Sequence, residues 1–286
     1  MEIKEIRDRI SEIDSQMAEL FVRRMEAVRD IAEYKSERGL AIEDLDQEHK
    51  LIEEKSILVK DDEIRSLYIN YLQSVMDISK NWQHRLMNGL RVACAGDKDS
   101  PGHKAAEVLF PEGNSVRFKH CRDAYKAVEN GQCDVAVLPL ENSFSGEVGK
   151  VYDLIFSGDL FVNAVHAIED GGSTTRYAVL SRVESEHAKD VGNESFLIMF
   201  TVRDEIGGLA KAINIISAYD FNMRVMRSRP MQDLPWHYYF YAEMVGDCSE
   251  ESAQRIQRAL HAACPIVKIA GRFRENGSMP EGGAAV

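Results

Sequence analysis

Two cations of the N-terminal segment, Arg24 and Lys35, occupy positions where an apolar stripe should continue. The stripe consists of apolar residues that recur every three or four positions, as in a long helix packed along a seam: Ile3, Ile6, Ile10, Ile13, Met17 and Leu20. Arg24 takes the next position of the stripe, and Lys35 follows eleven residues later, roughly 20° away around the helix. Because a cation on a buried face is costly unless it is compensated, each of them needs a partner or a ligand.

A third cation, Arg7, precedes Arg24 by seventeen residues, which is roughly 25 Å along one helix. One small ligand cannot contact both side chains of the same helix. If both arginines serve one site, Arg7 must come from a second, antiparallel copy, and the protein is an intertwined helical dimer. The alternative is that Arg7 is a solvated surface residue and that Arg24 extends its charged end to solvent.

Two further helices are predicted before residue 90. Asp44, with Gln47 three positions later, predicts a helix start with a capping-box pattern, and Glu48 lies one turn into that helix. A third helix is predicted over about 62–87, with Ser79 and Gln83 four positions apart on one face. For that pair alone, an ordinary solvated turn of helix is the simpler interpretation.

Taken together, these residues resemble the all-helical chorismate mutase family over nearly all of residues 1–90. The motifs that carry the resemblance are I-x-x-I-R-D-R-I-x-x-I-D near the start, Arg24, Lys35, D-x-x-Q-E over 44–48, and S-x-x-x-Q over 79–83. The resemblance implies three helices in an intertwined dimer, with chorismate as the substrate.

The resemblance also implies a role for each site residue. Arg7 of the partner chain and Arg24 would bind the two carboxylates of chorismate. Lys35 and Gln83 would face the ether oxygen, and Glu48 would accept a hydrogen bond from the ring hydroxyl. Two more residues would assist at the hydroxyl: Asp44 and Ser79.

These residue types fit the reaction, which is an intramolecular rearrangement of chorismate to prephenate without proton transfer or covalent intermediate. The site must hold a flexible dianion in a compact chair and place donors beside the breaking ether oxygen. We therefore expect no metal and no cofactor. Gln47 departs from the family, which usually has Arg at this position. Because Gln47 supplies neither a full charge nor a bidentate fork, we expect weaker substrate binding.

Short apolar strands begin to alternate with helices at Arg91. A strand over 91–96, a helix near 103–109 and a strand that begins at Asp134 are typical of an α/β unit with a parallel sheet. Ligands of such units lie at the carboxyl ends of the strands, which are here at 96–100 and 141–146.

The stretch V-L-P-L-E-N-S-F-S-G-E-V, residues 137–148, resembles a signature of prephenate dehydratases. T-T-R-Y at 174–177 resembles their T-R-F motif, whose Thr takes part in dehydration. The residues carried over are Glu141, Asn142, Ser143, Thr175 and Arg176. The first departure is Gly96-Asp97-Lys98-Asp99 in place of a Gly-Pro-x-Gly loop, since acidic residues there oppose an anionic substrate.

The second departure is a missing segment. Only eight residues separate His166 from Thr175, where the family inserts a second lobe that closes the active-site cleft. Eight residues can form a turn but not a lobe. We therefore expect a truncated α/β lobe over 91–183 whose dehydratase residues survive as structural ones. In that role, Asn142 and Ser143 cap a helix, and Thr175 and Tyr177 lie in a strand.

Residues 194–274 predict strand, helix, strand, strand, helix and strand, which is the ferredoxin-like α+β order. The segment resembles an ACT domain, the amino-acid-sensing module of dehydratases, and implies a phenylalanine site between two such domains. Two motifs carry the resemblance: Gly207-Gly208-Leu209-Ala210 for G-A-L, and Arg227-Ser228-Arg229-Pro230 for E-S-R-P. Arg227 replaces the Glu of the family motif, and we therefore expect a different ligand or a different regulatory response to it. The alternative is a dimerisation module without a ligand. The tail, residues 275–286, is predicted to be disordered.

Composition limits the partners. A formal charge of −12 argues against nucleic acid and anionic membranes. Five cysteines, widely spaced and without a Cys/His cluster, support neither zinc nor a disulfide framework. Because no signal peptide and no apolar run of membrane length is found, a cytoplasmic location is expected.

Three functional hypotheses follow. The first is a dimeric chorismate mutase with a truncated dehydratase lobe and a regulatory ACT domain; dimers that pair into tetramers are compatible with it. The second is a fully bifunctional chorismate mutase/prephenate dehydratase. The third is a non-catalytic amino-acid sensor. Retention of the mutase residues argues against the third, and the missing segment argues against the second.

Overall fold

The computed structural model describes residues 2–185, 194–232, 234–246, 249–273 and 275–276. The chain divides into two compact units, residues 1–90 and residues 91–286. None of the helices in the described part of the chain has both the length and the apolar character that a membrane-spanning segment needs.

The first unit is all-helical, as predicted, and consists of α1 (Ile3–Arg38), α2 (Leu45–Ser56) and α3 (Asp62–Asn88). Gly39 ends α1 in the left-handed conformation, with φ of 61°, which a residue without Cβ adopts at little cost. Asp44 caps α2, because its Oδ1 accepts a hydrogen bond of 3.0 Å from the backbone N–H of Gln47.

The apolar stripe of α1 is largely uncovered in the single chain. Its six residues, from Ile3 to Leu20, are 36–64% exposed, and the buried residues of α1 lie further on, at Val28 and Ala32. The C-terminal half of α1 therefore packs within the unit against α3, whereas the N-terminal half presents an apolar surface.

The second unit begins with an α/β lobe. Its strands are β1 (Arg91–Ala95), β2 (Asn114–Phe118), β3 (Val135–Asn142), β4 (Gly146–Glu147), β5 (Phe161–Asp170) and β6 (Ser173–Ser181). Its helices are α4 (Pro101–Leu109), α5 (Cys121–Glu129) and α6 (Gly149–Ser157).

The sheet of the lobe is mixed, so the prediction of a parallel sheet was right only for part of it. Strands β2, β1 and β3 are parallel neighbours, but β6 and β5 continue the sheet antiparallel to β3 and to each other. The reason is the connection between β5 and β6. Asp170 pairs with Ser173 across a two-residue Gly171-Gly172 turn, and so short a loop can join only antiparallel strands.

A second sheet follows, built from β7 (Glu194–Thr201), β8 (Asn222–Pro230), β9 (Tyr238–Gly246) and β10 (Val267–Phe273). With α7 (Gly208–Ala218) and α8 (Glu250–His261), it gives the predicted ferredoxin-like order. The antiparallel strand order β10-β7-β9-β8 is the one that this fold has. We call residues 194–273 the ferredoxin-like module.

Both faces of the module's sheet are buried. On β7, Phe196 and Ile198 face the cluster formed with α7 and α8, whereas Leu197 and Met199 enter the core of the α/β lobe. This alternation follows from the two-residue period of a strand. At Gly271, an added Cβ would lie 2.1 Å from the carbonyl oxygen of Val162 on β5, so the module approaches the lobe backbone closely. Lobe and module therefore share one core.

The predicted disordered tail falls mostly outside the described residues. Within it, Glu275–Asn276 forms a short strand, β11, that pairs in parallel with β5 next to His166.

Candidate active site

The helical unit brings Arg24, Ser79 and Val75 together. Arg24 is half-buried on α1, and its Nη1 donates to the Oγ of Ser79 and, at 3.4 Å, to the carbonyl oxygen of Val75 on α3. Burial lowers the pKa of Arg24 from its ordinary value. Its hydrogen-bond partners are thus two neutral oxygens.

Lys35, eleven residues further along α1, has a similar environment. Its Nζ donates at 2.7 Å to the carbonyl oxygen of Ile42, in the loop between α1 and α2. Within the described part of the chain, neither Arg24 nor Lys35 has a carboxylate at ion-pair distance. Both predicted cations therefore carry charge that the unit itself does not neutralise.

Ser79 and Gln83 share a buried face of α3, so the solvated-turn interpretation of this pair is wrong. The Oγ of Ser79 also donates at 2.7 Å to the carbonyl oxygen of Val75. The buried Oε1 of Gln83 has no hydrogen-bond partner among the residues that the structure describes. A buried polar atom without a partner is costly and is common where a ligand binds.

Glu48 is held by a residue that the sequence analysis missed. Lys80 Nζ lies 3.0 Å from Glu48 Oε2 and 3.1 Å from Asp77 Oδ1. Burial disfavours the ammonium, but these two carboxylates together raise the pKa of Lys80. The available signal, its position three residues after Asp77 and three before Gln83 on the same helix, indicates its face of α3 but not its contact with Glu48.

Three predicted residues stand apart from this cluster. Asp44 uses its carboxylate as the cap of α2, and the side chain of Gln47 is exposed. Arg7 is exposed near the N-terminal end of the continuous helix α1, roughly 25 Å along it from Arg24. Within a single chain, Arg7 therefore cannot reach a ligand bound at Arg24.

In the α/β lobe, the predicted dehydratase residues bond to one another. Asn142 Nδ2 donates at 2.7 Å to the Oγ1 of Thr175, and Ser143 Oγ accepts at 3.0 Å from the N–H of Thr174. The prediction that Asn142 and Ser143 cap a helix is wrong. Asn142 Oδ1 accepts from the N–H groups of residues 144 and 145, which makes a tight turn, and α6 begins later, after Val148.

Arg176 is fully engaged in a buried ion pair. It is 5% exposed, and its guanidinium donates to both carboxylate oxygens of Glu243 on β9, at 2.8 and 3.2 Å. Glu243 is 1% exposed, and Glu141 lies 3.5 Å from Arg176 on the other side. Arg176 thus joins the lobe to the ferredoxin-like module.

The E-S-R-P-like segment on β8 continues this ionic contact. Arg227 pairs with Glu141 at 2.9 Å and with Glu147 at 3.2 Å. Arg229 pairs with Glu147 at 2.8 Å and with Asp153 at 2.7 Å, and hydrogen bonding to Asp153 raises the pKa of Arg229. An added Cβ at Gly149 would lie 1.7 Å from the guanidinium of Arg229, so glycine leaves room for it. The remaining residues of the segment, Ser228 and Pro230, pair with Phe240 and Tyr238 of β9.

The G-A-L-like segment lies at the start of α7. Gly207 has a φ of 79°, in the left-handed region, and precedes the helix, while Gly208 is buried. Leu209 packs against the helix-side core of the module, and Ala210 is exposed.

Comparison with known protein families agrees with the division of the chain into two units, residues 1–90 and 91–286. The model of chorismate mutase type II matches residues 6–84, and that of prephenate dehydratase matches residues 92–169. The second match ends where the β5–β6 turn begins.

One relative is the bifunctional chorismate mutase/prephenate dehydratase of Buchnera aphidicola. It is 30% identical over 366 aligned positions, which cover 93% of this chain and 95% of that one. Since this chain has 286 residues in all, at least 80 of the 366 positions have no counterpart here.

Two solved structures share the fold of the second unit. A prephenate dehydratase from Streptococcus mutans is 22% identical, with a TM-score of 0.58 over 66% of this chain and 100% of that one. A prephenate dehydratase from Arthrobacter aurescens in complex with L-Phe is 14% identical, with a TM-score of 0.56 over 65% of this chain and 90% of that one.

The fold and the matched domains define an enzyme of aromatic amino acid biosynthesis in which a helical mutase domain precedes a dehydratase-type α/β domain. The chain belongs to the bifunctional chorismate mutase/prephenate dehydratase family.

Proposed function

We propose that the protein is a chorismate mutase that converts chorismate to prephenate. The observation that carries the proposal is the pair of half-buried cations, Arg24 and Lys35, that bond only to neutral oxygens. A dianionic substrate supplies the charge that these two side chains lack. The buried amide of Gln83 and the carboxylate of Glu48 add a hydrogen-bond donor and an acceptor in the same helical unit.

The geometry of the unit supports a mechanism by positioning. Arg24, already aligned by Ser79, binds one carboxylate, and Lys35 donates to the ether oxygen as its negative charge grows. Gln83 can turn its amide so that the N–H group reaches the same oxygen, while Glu48 accepts from the ring hydroxyl. The site contributes chiefly by holding the reacting ends together, because the rearrangement needs no proton transfer.

The mutase would act as an intertwined dimer. The uncovered apolar stripe of α1 supports this assembly, because an amphipathic helix of 36 residues is stable when its stripe packs against a partner. An antiparallel second copy would bring its Arg7 to the far carboxylate of the substrate.

We infer that dehydratase activity has been lost. The guanidinium of Arg176 is committed to Glu243 and Glu141, and the β5–β6 turn occupies the place where the family inserts a second lobe. The unmatched positions in the alignment with the Buchnera relative have the size of such a loss. A fully bifunctional enzyme is the second candidate, and it is favoured by relatives with both activities that cover up to 96% of this chain.

We further propose that the ferredoxin-like module is an ACT domain that regulates the mutase in response to phenylalanine in the cytoplasm. The module's strand order and the similar dehydratase that binds L-Phe support this assignment. The regions that would line the effector site are 207–210 and 227–230.

A product assay tests these proposals together. Purified protein is incubated with chorismate, with and without phenylalanine, and prephenate and phenylpyruvate are measured separately. The expected result is accumulation of prephenate, no phenylpyruvate beyond spontaneous conversion, and a rate that changes with phenylalanine.

Each other outcome contradicts a distinct part. Enzymatic phenylpyruvate would show that dehydration persists. Absence of prephenate would contradict the mutase function and favour a non-catalytic sensor. If millimolar phenylalanine changes neither the rate nor the thermal stability, phenylalanine is not the effector of the module.

A further inference from the structure

Lys80 flanks the face of α3 that carries Ser79 and Gln83, and its side chain reaches Glu48 of α2. It precedes Gln83 by three residues on α3, so these two side chains are neighbours on the helix surface. The side chain is 25% exposed, and its ammonium is bonded on one side to Glu48 of α2 and on the other to Asp77. Asp77 is itself well exposed, so it anchors the ammonium from the solvent side.

The segment at the start of α2, which faces Lys80 through Glu48, is acidic. Glu43, Asp44 and Glu48 lie within six residues at the start of α2, and the neighbouring Gln47 is neutral. A carboxylate that stands uncompensated beside a bound dianion repels it, and such like-charge contacts are strongly unfavourable. Glu48 would create this repulsion at the ring hydroxyl unless a cation offsets its charge.

We propose that Lys80 is a positioning residue of the mutase site, which holds the Glu48 carboxylate in place and offsets its charge so that a dianionic substrate binds beside it. The inference rests on the proposed mutase function. It also explains how the site retains positive charge although position 47 carries no cation. Lys80 acts through Glu48 and takes no part in the bond changes.

Replacement of Lys80 by Met tests the proposal, because Met keeps the length and apolar stem of the side chain. Lys50→Met is the matched control, since Lys50 is exposed on α2 two residues after Glu48. We expect Lys80→Met to raise KM for chorismate about tenfold or more, with a smaller change in kcat. Lys80→Arg should restore most of the affinity, and the control should behave as the unmodified protein does.

A double variant separates charge compensation from a purely structural clamp between α2 and α3. If Lys80 offsets the charge of Glu48, then Lys80→Met/Glu48→Gln removes the repulsion and has a lower KM than Lys80→Met alone. A structural clamp predicts no such recovery and a fall in thermal stability instead. Thermal unfolding of all variants is therefore measured alongside the kinetics.

The outcomes distinguish the two proposals. An unmodified protein that makes no prephenate contradicts the mutase function and this inference with it. A fully active protein whose Lys80→Met variant keeps an unchanged KM, or whose double variant shows no recovery, contradicts the role of Lys80 alone.

Discussion

Arg24 of the helical unit and two arginines of the second unit, Arg176 and Arg229, have opposite electrostatic surroundings. In the helical unit, Arg24 bonds to the hydroxyl of Ser79 and a carbonyl oxygen. In the second unit, Arg176 and Arg229 each contact two carboxylates. By the resemblance of their motifs, Arg24 was expected to bind the substrate and Arg229 to line an effector site, whereas Arg176 was expected to be structural. The structure distinguishes them by what they already bind.

The presence or absence of a carboxylate partner distinguishes a cation that can bind an anionic ligand from one whose charge is already balanced within the fold. A half-buried cation without a counter-charge costs stability, and a fold keeps such a residue where function requires it. A cation with two carboxylates has its charge balanced, and an anionic ligand would have to displace both. An arginine in a family motif can therefore bind a ligand in one environment and serve only the fold in another.

In the second unit, aromatic packing between α6 and β9 accompanies the ion pairs that join the lobe to the ferredoxin-like module. Tyr152 and Phe156 of α6 stack on Tyr241 and Tyr239 of β9, each pair with ring centroids 4.1 Å apart. Burial raises the pKa of Tyr152 well above its ordinary value, and its hydroxyl lies 3.4 Å from Glu243. The ion pairs thus sit at the edge of a shared apolar core that fixes the module on the lobe.

The largest expected effect is on stability, from Glu243→Ala. This change leaves the guanidinium of Arg176 buried without its bidentate partner, which should cost about 3–5 kcal/mol in the free energy of unfolding. Urea denaturation of the full chain, followed by a signal from the second unit, measures the loss. Glu112→Ala is the control, because Glu112 is exposed in a turn.

A paired replacement sharpens that test. Arg176→Met together with Glu243→Leu removes both charges and should recover most of the lost stability, because the pair lies in a well-packed region. A Glu243→Ala variant as stable as the parent would mean that Arg176 is free to bind a ligand, and the contrast between the two units would fail.

The second effect is on catalysis, from Arg24→Met. Removal of one preorganised donor to a developing or bound charge should lower kcat/KM for chorismate about 10²–10³-fold. The helical content should stay unchanged in circular dichroism, since Met preserves the packing of the stem. Arg29→Met is the control on the exposed side of the same helix. Turnover by Arg24→Met at the parent rate would contradict the assignment of the site.

Local sequence signals predicted most of the elements, since each depends on neighbouring residues. Gly39 ends α1, Asp44 starts α2, and the two glycines at 171–172 permit the β5–β6 turn. Which residues form ion pairs across the fold was not predictable in the same way. The pair of Arg176 with Glu243 joins residues 67 positions apart, and a periodic pattern assigns a face to each residue but not the residue opposite it.

The same limit explains what was missed in the mutase unit. The contact of Lys80 with Glu48 depends on the register of α3 against α2, which no local pattern encodes. The antiparallel half of the α/β sheet was missed for a related reason, because the expectation of a parallel sheet took no account of the turn at 171–172.

The smallest effect is a pH dependence that belongs to the second unit. Burial of Asp153 favours its neutral form, but hydrogen bonds from Arg229, Tyr239 and Gln232 outweigh it and lower the pKa of Asp153. Since this pKa is depressed on folding, the ionised group stabilises the fold above the unfolded value of about 3.9. That contribution is lost as the pH falls through the lower, folded value.

Asp153→Asn measures this contribution by difference. At pH 7 the variant should be less stable than the parent in urea unfolding, and the gap should narrow as the pH is lowered below about 4, because the parent then loses the same charge. A gap that stays constant with pH would show that the Asp153 carboxylate is not used by Arg229, and one of the ion pairs that distinguish the two units would have no energetic basis.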